Sequence, residues 1–221
     1  DFCELALYGV HWTTKVYLDG NCIGSGESLI DEHVFDLTSL IQPGKKHRLA
    51  IQLDNRLKWK LGESHIHSYH TATNWGGITG GAEIRIYPGI SARDVFVYPD
   101  ADERSAAVRV RLKYRTPHAG RACSVQASIF SDAGLVTEDA KSIILGTASE
   151  AKDSGSQEVS FRMFLGHDAQ LWSDRHSPLY RVEIRVMADG QLIDASERTF
   201  GLRSIRSEGK TILLNGTPVF L

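Results

Sequence analysis

Hydrophobic and polar residues alternate with a period of two along much of this chain. Val108, Val110, Leu112 and Tyr114 interleave with Arg109, Arg111, Lys113 and Arg115. That pattern predicts a strand with one face in a core and the other in water. Val125, Ala127 and Ile129 alternate with Ser124, Gln126 and Ser128, and Val159, Phe161, Met163 and Leu165 keep the same period. So do Tyr180, Val182, Ile184 and Val186 against Arg181, Glu183 and Arg185, and earlier Leu49, Ile51 and Leu53. Turn-forming pairs fall between the runs: Asp19-Gly20, Pro43-Gly44, Pro88-Gly89, Asp189-Gly190 and Asn215-Gly216. No segment holds a helical period over three turns. The best helical piece, DLTSLIQPG, predicts a single turn capped by Asp36 or Ser39 and stopped by Pro43. Short strands with frequent turns predict an all-β fold of antiparallel sandwiches.

The density of patterns changes near residues 88–93. Before that point lie three of the four Trp and a long irregular stretch from Lys58 to Gly81. After it come about seven clean strands over roughly 100 residues, the make-up of an immunoglobulin-like sandwich. Trp172, in LWSDRHSPLY, reads as a core anchor beside a Pro turn. At the end, Ile212 to Leu214 and Val219 to Leu221 flank Asn215-Gly216, a strong hairpin signal because both residues tolerate positive φ. Asn215-Gly216-Thr217 is formally a glycosylation acceptor, but the tight turn accounts for it more economically.

Composition supports a packed protein. Of 221 residues, 42% are hydrophobic and 24% charged, the range of a folded domain with a core. The 25 basic and 27 acidic residues are interspersed and give a net charge of −2, so no basic stripe supports a nucleic-acid partner. No apolar run approaches the length of a membrane-spanning helix. Cys3, Cys22 and Cys123 are too few and too widely spaced for a disulfide framework, and no CxxC suggests zinc or redox chemistry. The opening DFCELALYGV reads as the interior of a strand with no leader pattern, so the sequence assigns no compartment.

The chemically dense stretch is ESHIHSYHTATNWGG. His65, His67 and His70 suggest a metal, but His-x-His supplies two ligands at best, and Glu63 is the sole carboxylate nearby. Zinc needs three or four ligands with a supporting shell, so neither a metal nor another cofactor is expected. A sugar suits the composition better. Aromatic faces stack on the C–H surface of a pyranose, and planar polar groups satisfy its hydroxyls. Asn55, His67, Tyr69, His70, Thr71 and Trp75 are the candidate substrate-binding residues. Packing of Trp59 and Trp75 onto the sheet is the plainer alternative. Glycoside hydrolysis needs two carboxyl groups about 5–9.5 Å apart across the sugar. The acidic residues here fall on solvent faces and in turns, so no catalytic residue is assigned. A nucleophile elbow and a phosphate loop are absent.

Six segments, in order and covering nearly the whole chain, resemble the N-terminal part of family 2 glycoside hydrolases, the β-galactosidases, β-glucuronidases and β-mannosidases. They are TTKVYLDGNCIGSGES, FDLTSLIQPGKKHRLAIQLDN, NWGGI, DVFVYPD, LWSDRHSPLYRVEIRV and FGLRSIRSEGKTILLNGTPVFL. The resemblance implies a sugar-binding jelly-roll-like domain over 1–90 with its front strands outside the chain. It further implies an immunoglobulin-like sandwich over 91–200, and over 201–221 the first hairpin of an absent (β/α)8 catalytic barrel. It implies a non-catalytic fragment of a retaining enzyme that hydrolyses terminal β-linked sugars, since the catalytic glutamates belong to the barrel. The barrel of the same chain and a carbohydrate substrate are the implied partners, with a homo-oligomeric contact through the second sandwich. Thr71 stands where β-glucuronidase-like members place a carboxylate, with His70 beside it, and Thr79-Gly80-Gly81 stands where an Arg often follows Gly-Ile. A free-standing carbohydrate-binding sandwich is the alternative.

Overall fold

The computed structural model describes residues 1–56, 76–149 and 153–219. They form two compact units, Asp1–Tyr87 and Pro88–Leu221. All regular elements among the described residues are antiparallel strands, apart from one 3-10 turn at Thr116–His118. The all-β expectation and the sandwich architecture hold.

In the first unit, β1 (Phe2–His11) runs into β2 (Thr13–Leu18), and β3 (Asn21–Glu27), β4 (His33–Asp36), β5 (Leu49–Asp54) and β6 (Gly77–Tyr87) follow. The chain changes sheet at Trp12. One sheet has the order β4-β1-β6 and the other β3-β2-β5. Asp19 (φ 50°) and Gly20 (φ 87°) make the β2–β3 turn with both central residues left-handed, the geometry that follows the twist of a hairpin. Asp36 Oδ1 accepts from Thr38 N at 2.8 Å and starts the short turn in which Ile41 N donates to Leu37 O, the cap expected at Asp36.

Leu5, Leu7, Val10, Val16, Phe35 and Leu37 form the core of this unit. The core is open along one side. Ile84 pairs across the sheet with buried Leu5, and Leu53 with buried Thr14, so both point inward with the core residues. Yet Ile84 is 51% and Ile86 69% exposed, and Leu49 and Leu53 are exposed as well.

The second unit packs two sheets face to face. β7 (Ile90–Asp100), β8 (Ser105–Arg115) and β11 (Ser154–Phe164) form one, in the order β11-β8-β7. β9 (Ala122–Ser131), β10 (Gly134–Ile144), β12 (Tyr180–Ala188) and β13 (Gln191–Phe200) form the other, in the order β10-β9-β12-β13. The alternation in the sequence maps onto burial. Val108, Val110, Leu112, Val125, Ala127, Ile129, Val182, Ile184 and Val186 are fully enclosed. Each such Val, Leu or Ile contributes about 1.5–3 kcal/mol of transfer free energy, which explains why the register of these strands does not slip.

The chain then forms a meander of β14 (Ile205–Glu208), β15 (Thr211–Leu214) and β16 (Thr217–Val219). The hairpin expected at Asn215-Gly216 is present, with φ of 50° and 79°. A third strand, β14, joins it because Ile205 to Glu208 pair with Leu214 to Thr211. Trp172 is half-buried rather than a core residue. Gly201 lies against its ring, where an added Cβ would come within 3.0 Å.

Candidate functional site

The described part of the candidate site is the frame from which segment 57–75 departs and to which it returns. Three pieces of backbone meet there: the β1–β2 junction, the end of β5 and the start of β6. His11 pairs with Gly77, Thr13 pairs with Asp54, and Trp12 N donates to Asp54 O at 3.3 Å. Asn55 and Gly76 are in close contact. A Cβ on Gly76 would lie 2.7 Å from Asn55 Nδ2, so a side chain at position 76 would displace the amide.

The path of β1 is set by a bulge. Its register with β6 shifts between Tyr8 and Val10, where Gly9 takes φ 58° and its carbonyl accepts from Thr79 Oγ1 at 3.0 Å. Bulges re-aim the residues that follow them. Here those residues are Val10, which enters the core, and His11, whose Nδ1 is buried with no hydrogen-bond partner among the described residues. Thr13 Oγ1 is in the same state. Buried polar atoms are normally satisfied, and one left bare costs about 1–3 kcal/mol; Ser196 Oγ in the second unit is in the same state.

Beside them, a concavity of about 340 Å3 is lined by Thr13, Thr14, Lys15, Gln52, Asp54 and Arg56. Arg56 grips Asp54 with both ends of its guanidinium, Nε to Oδ1 at 2.9 Å and Nη2 to Oδ2 at 2.6 Å. The hydrogen bond and charge of Asp54 raise the Arg56 pKa above its usual value. Arg56 and Asp54 thus form a two-point ion pair at the rim of the concavity. No group of three metal-ligating side chains gathers among the described residues. No helix of the described residues is long and apolar enough to cross a membrane. Among the thiols, burial above all pushes Cys3 and Cys123 up, so neither favours the thiolate.

Of the candidate substrate-binding residues, Asn55 lies at this frame, exposed at the end of β5. His67, Tyr69, His70, Thr71 and Trp75 lie outside the described residues, as do His65 and Trp59. His11 and Thr13 were not among the candidates, because each sits in an apolar or β-branched run that reads as plain strand. The available signal was the glycine at position 9, which interrupts the alternation of β1 and marks the bulge.

The sequence profile described as "Glycosyl hydrolases family 2" matches residues 90–203, just over half of the chain. A β-galactosidase of Alteromonas mediterranea is 26% identical over 99% of this chain and 20% of its own length. A β-glucuronidase of Paenibacillus borealis is 24% identical over 82% of this chain and 30% of its own. The crystal structure of Bacteroides uniformis β-glucuronidase superposes on 99% of this chain with a TM-score of 0.79 at 19% identity, covering 26% of that protein. The chain thus spans about a fifth to three tenths of the length of these relatives. The profile match runs through the second sandwich and the structural likeness through both units, and the chain belongs to the glycosyl hydrolases family 2.

Proposed function

We propose that residues 1–221 act as the substrate-positioning part of a larger glycoside hydrolase that cleaves terminal β-linked sugars with retention. Residues 1–90 serve as a jelly-roll-like sugar-binding domain, 91–200 as an immunoglobulin-like spacer, and 201–221 as the lead into a catalytic barrel. The observation that carries this reading is the open concavity lined by Lys15, Gln52, Asp54 and Arg56, next to Asn55 and at the root of segment 57–75. The amide, ammonium, carboxylate and guanidinium groups there are the donors and acceptors that a hydroxyl-rich ligand pairs with. The inward-facing but exposed Leu49, Leu53, Ile84 and Ile86 support the same reading, since they call for further strands to cover them in the whole protein. The names of the relatives favour a β-galactoside or a β-glucuronide as substrate.

The test is kinetic and uses the protein as its gene encodes it. Gln52→Ala and Asn55→Ala are expected to lower kcat/KM on a nitrophenyl β-glycoside at least tenfold, about 1.4 kcal/mol of transition-state binding, with unchanged melting because both side chains are exposed. The 221-residue chain alone is expected to turn over neither nitrophenyl β-galactoside nor β-glucuronide. Turnover by that chain, or wild-type kinetics in both variants, would overturn the proposal.

A further inference from the structure

The second unit carries a concavity of about 740 Å3 that lies wholly within that unit. It is built on one row of the β11-β8-β7 sheet, where Arg162, Ala107 and Tyr98 stand side by side on the solvent face. The small Ala107 leaves a gap between a guanidinium and an aromatic ring. Tyr98 is 50% exposed, and its ring is steadied by the Arg109 guanidinium 5.0 Å from its centre.

The opposite wall is equally fixed. It consists of the β7–β8 turn and the segment Arg203–Arg206. Asp100 Oδ1 accepts from the backbone of Asp102 at 3.1 Å and Glu103 at 3.0 Å, and Arg104 Nη1 donates to Ala169 O at 3.0 Å. Arg203 lies over the Trp172 ring at 4.6 Å. A site whose walls are already ordered gives up little freedom on binding.

The charges decide the class of ligand. Arg162, Arg203 and Arg206 line the concavity together with Asp100, Asp102 and Glu103, and Arg206 is paired with Asp102. The balance leaves no net attraction for an anion or a cation. What remains is a set of planar donors and acceptors beside an exposed aromatic face, which suits a neutral ring carrying hydroxyls on its rim and C–H groups on its faces. A concavity of this size takes a small ligand rather than a protein face.

We propose that this concavity is a non-catalytic binding site for a neutral saccharide. One pyranose sits over Ala107 against the ring of Tyr98, with its hydroxyls held by Arg162 and Arg203. The site would give the protein a second hold on a glycan, separate from the frame around His11 and independent of how that frame functions.

The test is titration of the isotope-labelled 221-residue chain with methyl β-D-galactopyranoside and with a β-1,4-linked galactotetraose, read from backbone amide shifts. Saturable shifts at Ala107, Arg162, Arg203 and Ser204 are expected, with affinity on the order of 1 mM for a site of a few contacts. Tyr98→Ala and Arg162→Ala are expected to weaken binding at least tenfold while the remaining spectrum stays in place; both side chains are exposed, so the fold does not depend on them. Absence of shifts at these amides would overturn the proposal. Tighter, salt-sensitive binding of glucuronate at the same amides would also overturn it, because it would make the site an anion site. Shifts confined to His11, Asn55 and Gly76 would support the reading of the first unit and overturn this one.

Discussion

The side-chain amide of Asn215 donates to the backbone carbonyl of Trp172 at 2.9 Å, across 43 residues of chain. Its oxygen accepts from Ser204 N at 2.8 Å, and its own backbone N–H donates to Ser204 O at 2.8 Å. Trp172 N in turn donates to Leu202 O at 2.9 Å. One residue therefore makes the turn between β15 and β16 and fastens the meander to the sandwich. Asn215→Asp removes the donor and sets a carboxylate against the Trp172 carbonyl. It is expected to cost about 1–3 kcal/mol of local stability, read as faster amide exchange in β14–β16 with the sandwich core unchanged. Asn215→Gly, which keeps the left-handed backbone, is expected to show the same loosening. Native exchange in both variants would show that the clasp is idle. Because the amide is engaged in this clasp, the Asn215-Gly216-Thr217 acceptor is blocked in the folded protein.

Gly155 faces Tyr114 in the register of β11 and β8, and a Cβ there would run into the Tyr114 ring. Tyr114 is only 1% exposed and has no room to retreat. Gly155→Ala is expected to destabilise the second unit by about 1–3 kcal/mol, seen as a lower denaturant midpoint with an unchanged m-value.

Asp194 on β13 accepts from Ser91 Oγ at 2.9 Å and from Ala92 N at 2.8 Å, at the point where the β7–β8 register shifts. Ser91 is buried. Asp194→Ala leaves both donors bare and is expected to cost about 1–3 kcal/mol. Asp194→Asn keeps an acceptor and is expected to cost clearly less. Equal denaturant midpoints for the two variants would mean that packing, not the acceptor, holds this corner.

Burial, followed by the charge of Arg121, depresses the pKa of His118, which packs against Gly89. The unfolded chain takes up a proton near the ordinary value of about 6.5, whereas the folded chain does so only at lower pH. Below about pH 6.5 the unfolded state binds more protons, so stability falls as pH drops through the folded-state value. His118→Gln is expected to flatten that part of the stability profile between about pH 7 and 5 relative to wild type. Parallel profiles would remove His118 as a contributor.

The open side of the first unit presents Ile84 and Ile86 on an edge strand, a surface that invites pairing with another chain. The 221-residue chain is expected to self-associate as concentration rises. Ile84→Lys with Ile86→Lys is expected to suppress that association in sedimentation velocity. Persistent association in the double variant would place the contact elsewhere.

The strands of the second sandwich are legible in the order of residues alone. Val108 to Tyr114, Val125 to Ile129 and Tyr180 to Val186 alternate strictly, and a period of two assigns each residue to a face before any partner is known. The turns at Asp19-Gly20 and Asn215-Gly216 are legible too, because only certain residues accept positive φ. The six ordered segments were enough to reach the family. Folding in three dimensions sets which strands share a sheet, that Arg162, Ala107 and Tyr98 form one row, and that Asn215 reaches Trp172. These relations join residues far apart in the chain, and local pattern carries no information about register between distant strands. The same limit hid His11. His11 reads as plain strand, and strand it is, but only the structure shows that its Nδ1 is enclosed with no partner among the described residues.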